Sequence, residues 1–339
     1  MKIRKETESH PPLGYRTRRR GLSVLALLLL SAITGCEQPT ATQPQAQEAT
    51  PQAQQLEVVA TFLPMYWLTR AVTGDTANVD VLIPPGSEVH EYQATPADVQ
   101  AIAQANVLVK NGLGMEEFLA GTVKSAQNPQ LREINTSQGI EPLKDTAPVA
   151  AKTDDHDHDH AGETDHGHTH EEGNPHVWLD PVLAQQQVTN IRDGLIAADP
   201  ANKATYEANA ATYVQQLQTL DKEFQQRLQK YPNCTFVTFH DAYPYLANRY
   251  GLKQVAVVQI PEDQLSPADV SNTINAVKKY NVKAVFGEPE VDNRLLKSLA
   301  QDLNLTYRVI DPLESGPLDP QHYFQVMRTN LQSIEAGCR

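Results

Sequence analysis

From Asn202 to Lys230 the chain runs without a proline or a glycine, and this stretch limits the possible folds more than any other. Its apolar residues Tyr206, Ala210, Tyr213, Leu217, Leu220, Phe224 and Leu228 fall three or four positions apart, which puts them on one face of an α-helix. At 1.5 Å per residue that helix is about 45 Å long. A rod of this length suits a stiff backbone running past two separate bodies. The competing arrangement is a local helix of one body with a hinge elsewhere.

The flanking sequence supplies the two bodies. Upstream, LEVVAT (Leu56 to Thr61), VDVLI (Val79 to Ile83) and VLVKN (Val107 to Asn111) have the apolar composition of buried strands, separated by helical spacing such as Pro96 to Ala105. Downstream the pattern restarts with CTFVTFH (Cys234 to His240), QVAVVQ (Gln254 to Gln259), VKAVFGE (Val282 to Glu288) and TYRVID (Thr306 to Asp311). Strands alternating with helices imply a mostly parallel sheet covered on both faces. The expected fold is α/β, with two lobes at 56–199 and 232–339 joined by one long rigid helix at 200–231. A chain of 339 residues is long enough for each lobe to bury its own core.

The first 36 residues stand apart. Arg16, Arg18, Arg19 and Arg20 precede a short apolar run, Leu22 to Ile33, that ends in small residues, the pattern of an export signal. That run is too short to span a bilayer, which needs about twenty residues. ITGC, Ile33 to Cys36, resembles the lipobox of bacterial lipoproteins, which implies acylation of Cys36; an ordinary cleavable signal is the alternative. Residues 37–55 are mostly Gln, Pro, Thr and Ala, the composition of a flexible tether. The first 35 residues carry seven Lys/Arg and two Asp/Glu, so their removal takes the formal charge from −13 to −18. So acidic a chain repels nucleic acid and anionic lipid and suits a cationic ligand; membrane contact is expected only through the anchor, and the protein is expected to be a monomer. Cys234 and Cys338 remain. In an exported protein they can pair and tie the C-terminus back to the second lobe, or stay as two separate thiols.

In open α/β sheets ligands bind beyond the carboxyl ends of the strands. His240 and Asp311 end two expected strands of the second lobe. His90 lies in PPGSEVHEYQATPADV (Pro84 to Val99) after a strand of the first lobe, and His176 lies in NPHVWLDP (Asn174 to Pro181). Three imidazoles and a carboxylate from two lobes can converge on one point, a donor set suited to tetrahedral Zn(II). Each residue alone has a plainer role. A loop histidine is commonly a surface residue, and Asp180 and Asp311 each precede a proline, as turn and cap residues do. Asp241 is expected to cap the helix that follows it.

A second histidine source is DDHDHDHAGETDHGHTHEE, Asp154 to Glu172, with His156, His158, His160, His166, His168 and His170. It has eight carboxylates, no Lys or Arg, and no apolar residue larger than alanine, so it is expected to be a solvated loop. Alternating His and Asp offers many weak, interchangeable metal arrangements but no organised shell around any of them. It can gather or sense metal, or be an inert charged loop.

Taken together, PPGSEVHEYQATPAD, NPHVWLDP, FHDAYPYLANRYGL, PEDQLSPADV and VFGEPEV with RVIDPL resemble the metal-specific substrate-binding proteins of bacterial ABC importers, over Leu56 to about Gly337 and in that family's order. The resemblance implies two α/β lobes joined by a long helix, with metal in the cleft. It implies His90, His176 and His240 as ligands and maps the family's aspartate onto Asp311. Some zinc members use water or a glutamate directly before the first histidine as the fourth ligand, and here that position is Val89. A histidine rather than a glutamate at position 240 is similar to the zinc-uptake, ZnuA-type branch, which also carries a histidine-rich insertion before its second ligand. The implied function is extracytoplasmic capture of zinc, as transported ligand, and its delivery to a cognate ABC permease driven by a cytoplasmic ATPase. Other readings are a zinc-buffering or adhesin-type surface lipoprotein, a Mn(II)-binding protein, and a zinc hydrolase with Glu288 or Glu290 as general base.

Overall fold

The computed structural model describes residues 55–144, 173–258, 267–289 and 291–339. The export signal, Cys36, the tether through residue 54, the six histidines of the Asp154 to Glu172 run, and Glu290 lie outside them. Residues Ala53–Arg339 form one compact unit.

The first lobe runs β1 (Leu56–Ala60), α1 (Leu63–Thr73), β2 (Ala77–Val81), α2 (Pro96–Gln104), β3 (Val107–Lys110), α3 (Leu119–Ala126), β4 (Arg132–Asn135) and α4 (Pro181–Ala198). Its four strands lie in the order β2-β1-β3-β4, all parallel, with Val58 opposite both Val79 and Val107. Strand β2 begins and ends two residues earlier than its apolar run. Leu82 and Ile83 lie past its end, but their backbone N–H groups still bond to Ala60 and Thr61, at 2.8 and 2.9 Å, and both side chains are buried. Strand β4 gave no sequence signal because REIN, at the sheet edge, buries only Ile134.

After α5 (Lys203–Leu228) the second lobe repeats the plan: β5 (Thr235–Thr238), α6 (Pro244–Arg249), β6 (Lys253–Ala256), α7 (Pro267–Tyr280), β7 (Ala284–Gly287), α8 (Arg294–Asp302), β8 (Thr306–Val309) and α9 (His322–Cys338). Its sheet is also parallel, in the equivalent order β6-β5-β7-β8, with Val237 opposite Val255 and Val285. In each sheet the strand order reverses beside the lobe's first strand, which opens a crevice at the carboxyl ends of β1 and β3 and of β5 and β7.

All seven periodic apolar residues of α5 are buried. At 26 residues it is about 39 Å long. It packs on α1 and α4 of the first lobe and on α9 of the second, so it spans both sheets. Arg328 from α9 reaches Glu223 at 2.8 Å, and Arg227 pairs with Glu335. One apolar core runs through both lobes and includes Val58, Trp67, Leu220, Phe236 and Tyr323. Cys234 and Cys338 form a disulfide with Cα atoms 5.8 Å apart, closing the end of α9 onto the start of β5. Further bonds cross between the lobes: Trp67 Nε1 donates to Pro317 O and Trp178 Nε1 to Pro312 O, both at 2.9 Å, and Tyr323 Oη donates to Trp178 O at 2.7 Å. Among the described residues no helix is long and apolar enough to cross a membrane.

Candidate metal centre

Each of the three histidines is carried by a short connection that other groups hold rigid. His90 follows Val89, whose side chain is buried, and precedes Tyr92, which packs edge-on against Phe118. The loop then closes into α2 through a capping box, in which Thr95 Oγ1 accepts from Asp98 N and Asp98 Oδ2 accepts from Thr95 N at 2.7 Å. His176 is fully buried against Trp178. Asn174 Oδ1 accepts from both the His176 backbone N–H and Nδ1, each at 3.0 Å, while Asn111 Nδ2 donates to Pro175 O at 3.0 Å. His240 lies two residues past β5 and is also fully buried. Glu288, directly after β7, takes the His240 Nδ1 hydrogen at 2.6 Å and its backbone N–H at 3.2 Å.

These supports leave the Nε2 atoms pointing at one another. His176 Nε2 is 3.3 Å from His90 Nε2 and 3.4 Å from His240 Nε2, and the three ligand atoms lie within 4.8 Å of one another. An ion bound tetrahedrally at about 2.05 Å separates its nitrogen ligands by roughly 3.3 Å, so the spacing fits Zn(II). Asn174 and Glu288 accept at Nδ1 and so fix the tautomer that leaves Nε2 for a metal, the role of an outer-shell acceptor. Burial alone would lower the His240 pKa, but the charge and hydrogen bond of Glu288, helped by Glu314 and Asp241, outweigh it and raise it to about 9.

Asp311, expected as the fourth ligand, does not join this cluster of three. Its Oδ1 accepts from Leu313 N at 2.7 Å, and Asn330 brackets its backbone on both sides. The turn continues through Leu313 at a φ of 73°, and Glu314 follows, near enough for its charge to act on His240. Glu314 O accepts from Gly86 N at 2.9 Å, tying this turn to the loop that carries His90. Glu88, Glu288, Asp311 and Glu314 line one small cleft cavity.

Two other readings change, and the cap role of Asp180 holds. Both oxygens of Glu288 are engaged by His240, so it is a histidine support and not a base facing a substrate. Asp241 does not cap α6, which starts at Pro244 with Tyr243 in the cap position; it is buried beside Asn174, whose Nδ2 donates to Asp241 O at 2.6 Å. Asp180 is the cap of α4, accepting from Val182 and Leu183, and is also paired with Arg249 at 2.8 Å. Asn174 and Glu288 are the functional supports that sequence reasoning missed. An Asn two residues before a histidine, and a Glu ending the strand beside the one that carries His240, were the signals available.

The sequence matches the family model described as ZnuA, zinc-uptake complex component A periplasmic, over residues 58–337. It is 34% identical over 285 residues to the high-affinity zinc uptake system protein ZnuA of Bacillus subtilis, covering 83% of this chain and 86% of that protein. It is 35% identical over 289 residues to the zinc-binding lipoprotein AdcA of Streptococcus pneumoniae, covering 83% of this chain and 55% of that protein, so the chain spans about half the length of that relative. The fold aligns with the Zn(II)-bound ZnuA-like domain of AdcA from the same species at a TM-score of 0.68 and 32% identity, covering 84% of this chain and 99% of that domain.

Proposed function

We propose, because this chain belongs to the periplasmic zinc-uptake complex component A (ZnuA) family, that it captures Zn(II) outside the cytoplasm and delivers it to an ABC permease powered by a cytoplasmic ATPase. The observation that carries this reading is the three Nε2 atoms of His90, His176 and His240 at tetrahedral spacing, two of them backed by Asn174 and Glu288. Zinc is the cargo. Capture is ligand exchange, in which Zn–water bonds break as Zn–imidazole bonds form and no covalent bond of a substrate is cleaved; the engaged oxygens of Glu288 speak against a hydrolase. We assign the fourth position to Asp311, which lines the cleft cavity together with Glu88, Glu288 and Glu314, with water as the alternative. The division at 199/200 and 231/232, the monomeric state, and anchoring through Cys36 belong to the same proposal. It is supported by one sheet on either side of α5 and by a relative named as a lipoprotein.

The test is a Zn(II) titration of metal-free mature protein lacking residues 154–172, with a competing chelator and a Mn(II) challenge. One tight site that resists Mn(II) and disappears in His240→Ala supports the cleft. Loss of tight binding with the 154–172 run would move the site to that run and favour a zinc-buffering lipoprotein.

A further inference from the structure

His176 reaches the metal centre from the first lobe and His240 from the second, so the 3.4 Å between their Nε2 atoms depends on what fixes the two carrier segments to each other. One side chain grips both flanks of His176. Tyr245 stands five residues after His240, on α6, and is buried. Its ring packs in a small apolar cluster with Ile140 and with Val177, the residue directly after His176. Its Oη donates to Asn174 O at 2.6 Å, two residues before His176, and accepts from Leu143 N at 3.0 Å. Leu143 O in turn accepts from Asn174 N at 3.0 Å.

Asn174 carries that grip to the ligands. Its backbone is held by Tyr245 and Leu143, and its carboxamide serves both lobes: Oδ1 accepts from His176 N and Nδ1, while Nδ2 donates to Asp241 O, next to His240. Leu143 and Asn174 are far apart in sequence, on either side of the histidine-rich run, so their pairing rests on these bonds and not on chain continuity. At the other end of α6, Arg249 pairs with Asp180, beyond His176, at 2.8 Å. Building on the zinc reading above, we propose that Tyr245 is a positioning residue of the metal site. Through Asn174 its hydroxyl fixes the separation of His176 from His240 across the lobe boundary, at the spacing a small tetrahedral ion needs.

Tyr245→Phe removes the hydroxyl and keeps the ring on Val177. In the mature protein it should weaken Zn(II) binding in a chelator competition by about tenfold, the lower end for loss of an outer-shell partner. The visible bands of bound Co(II) should shift, because His176 is no longer held at a fixed distance from His240. In an Asn174→Ala background the same substitution should add less than about twofold, the signature of two residues acting through one path. Tyr250→Phe is the control, since that hydroxyl donates instead to Asp221 on α5 at 3.0 Å: it should lower the melting temperature and leave zinc affinity unchanged. Zinc affinity of Tyr245→Phe within about twofold of wild type, unshifted Co(II) bands, an undiminished loss in the Asn174→Ala background, or an equal zinc loss in Tyr250→Phe would each overturn the proposal. His240→Ala measured alongside separates the two failures: if it still binds Zn(II) tightly, the cleft itself is not the site.

Discussion

Each lobe sets a buried glutamate between the carboxyl ends of its first and third strands, yet only one of the two glutamates meets an imidazole. In the second lobe Glu288 holds the backbone and ring of His240. In the first, Glu116 occupies the equivalent crevice and accepts from Thr61 Oγ1 and Asn111 N, both at 2.7 Å, and from Gly112 N at 3.0 Å. Burial raises the Glu116 pKa against the lowering effect of those bonds. The same topology thus produces the same acceptor twice. The group opposite decides what the acceptor does: against a threonine and two amides it stabilises a loop, and against a histidine it prepares a metal ligand.

The largest effect should come from removing that histidine. Zinc sites release about 10–16 kcal/mol over four ligands, so His240→Ala should weaken Zn(II) binding by on the order of several hundredfold. Thr61→Val, its counterpart in the first lobe, should leave affinity within about threefold, since the sites are separate, and lower stability instead. The glutamates sharpen the contrast. Glu288→Gln should reduce zinc affinity by about 10- to 100-fold. Glu116→Gln places an amide N–H against a donor, so it should cost about 1–3 kcal/mol in urea unfolding. Comparable zinc losses for the two glutamate variants would break the comparison.

A smaller effect is pH-dependent. With His240 raised to about 9, zinc must displace its proton, so affinity should rise by up to about tenfold per pH unit until pH 9. For the metal-free protein the sign is opposite. A histidine whose folded pKa lies above its unfolded value of about 6.5 stabilises the fold fully below pH 6.5, and loses that contribution as pH rises through 9. Calorimetry in buffers of different ionisation heat should count the released proton, and Glu288→Gln should shift both windows downward. The smallest effect on zinc should come from Cys234→Ser with Cys338→Ser. Opening a loop of 104 residues should cost about 2–5 kcal/mol of stability and leave zinc affinity unchanged.

The fold was legible wherever an element has a strong local period. The seven apolar positions of α5 and the apolar, β-branched or aromatic runs of β1, β3, β5 and β7 each carry their own signal. Edge strand β4 has only Ile134 to mark it. At the site, His90, His176 and His240 could be singled out because the residue type limits the chemistry. Glu288 could not be assigned its role because its contact with His240 spans 48 residues and depends on β7 lying beside β5. Asp311 is hard to read for a similar reason: an aspartate at a strand end before a proline fits a ligand and a turn equally well, and the bond from Leu313 N to its Oδ1 is compatible with both.

The most direct test of the central claim, that an organised cleft and not the histidine-rich run is the zinc site, is X-ray absorption at the zinc edge on protein lacking residues 154–172 and loaded with one equivalent of Zn(II). The account predicts three imidazole nitrogens at about 2.0–2.1 Å with an oxygen completing a four-coordinate shell. A shell with fewer than three imidazoles, or failure to retain the ion at all, would contradict it.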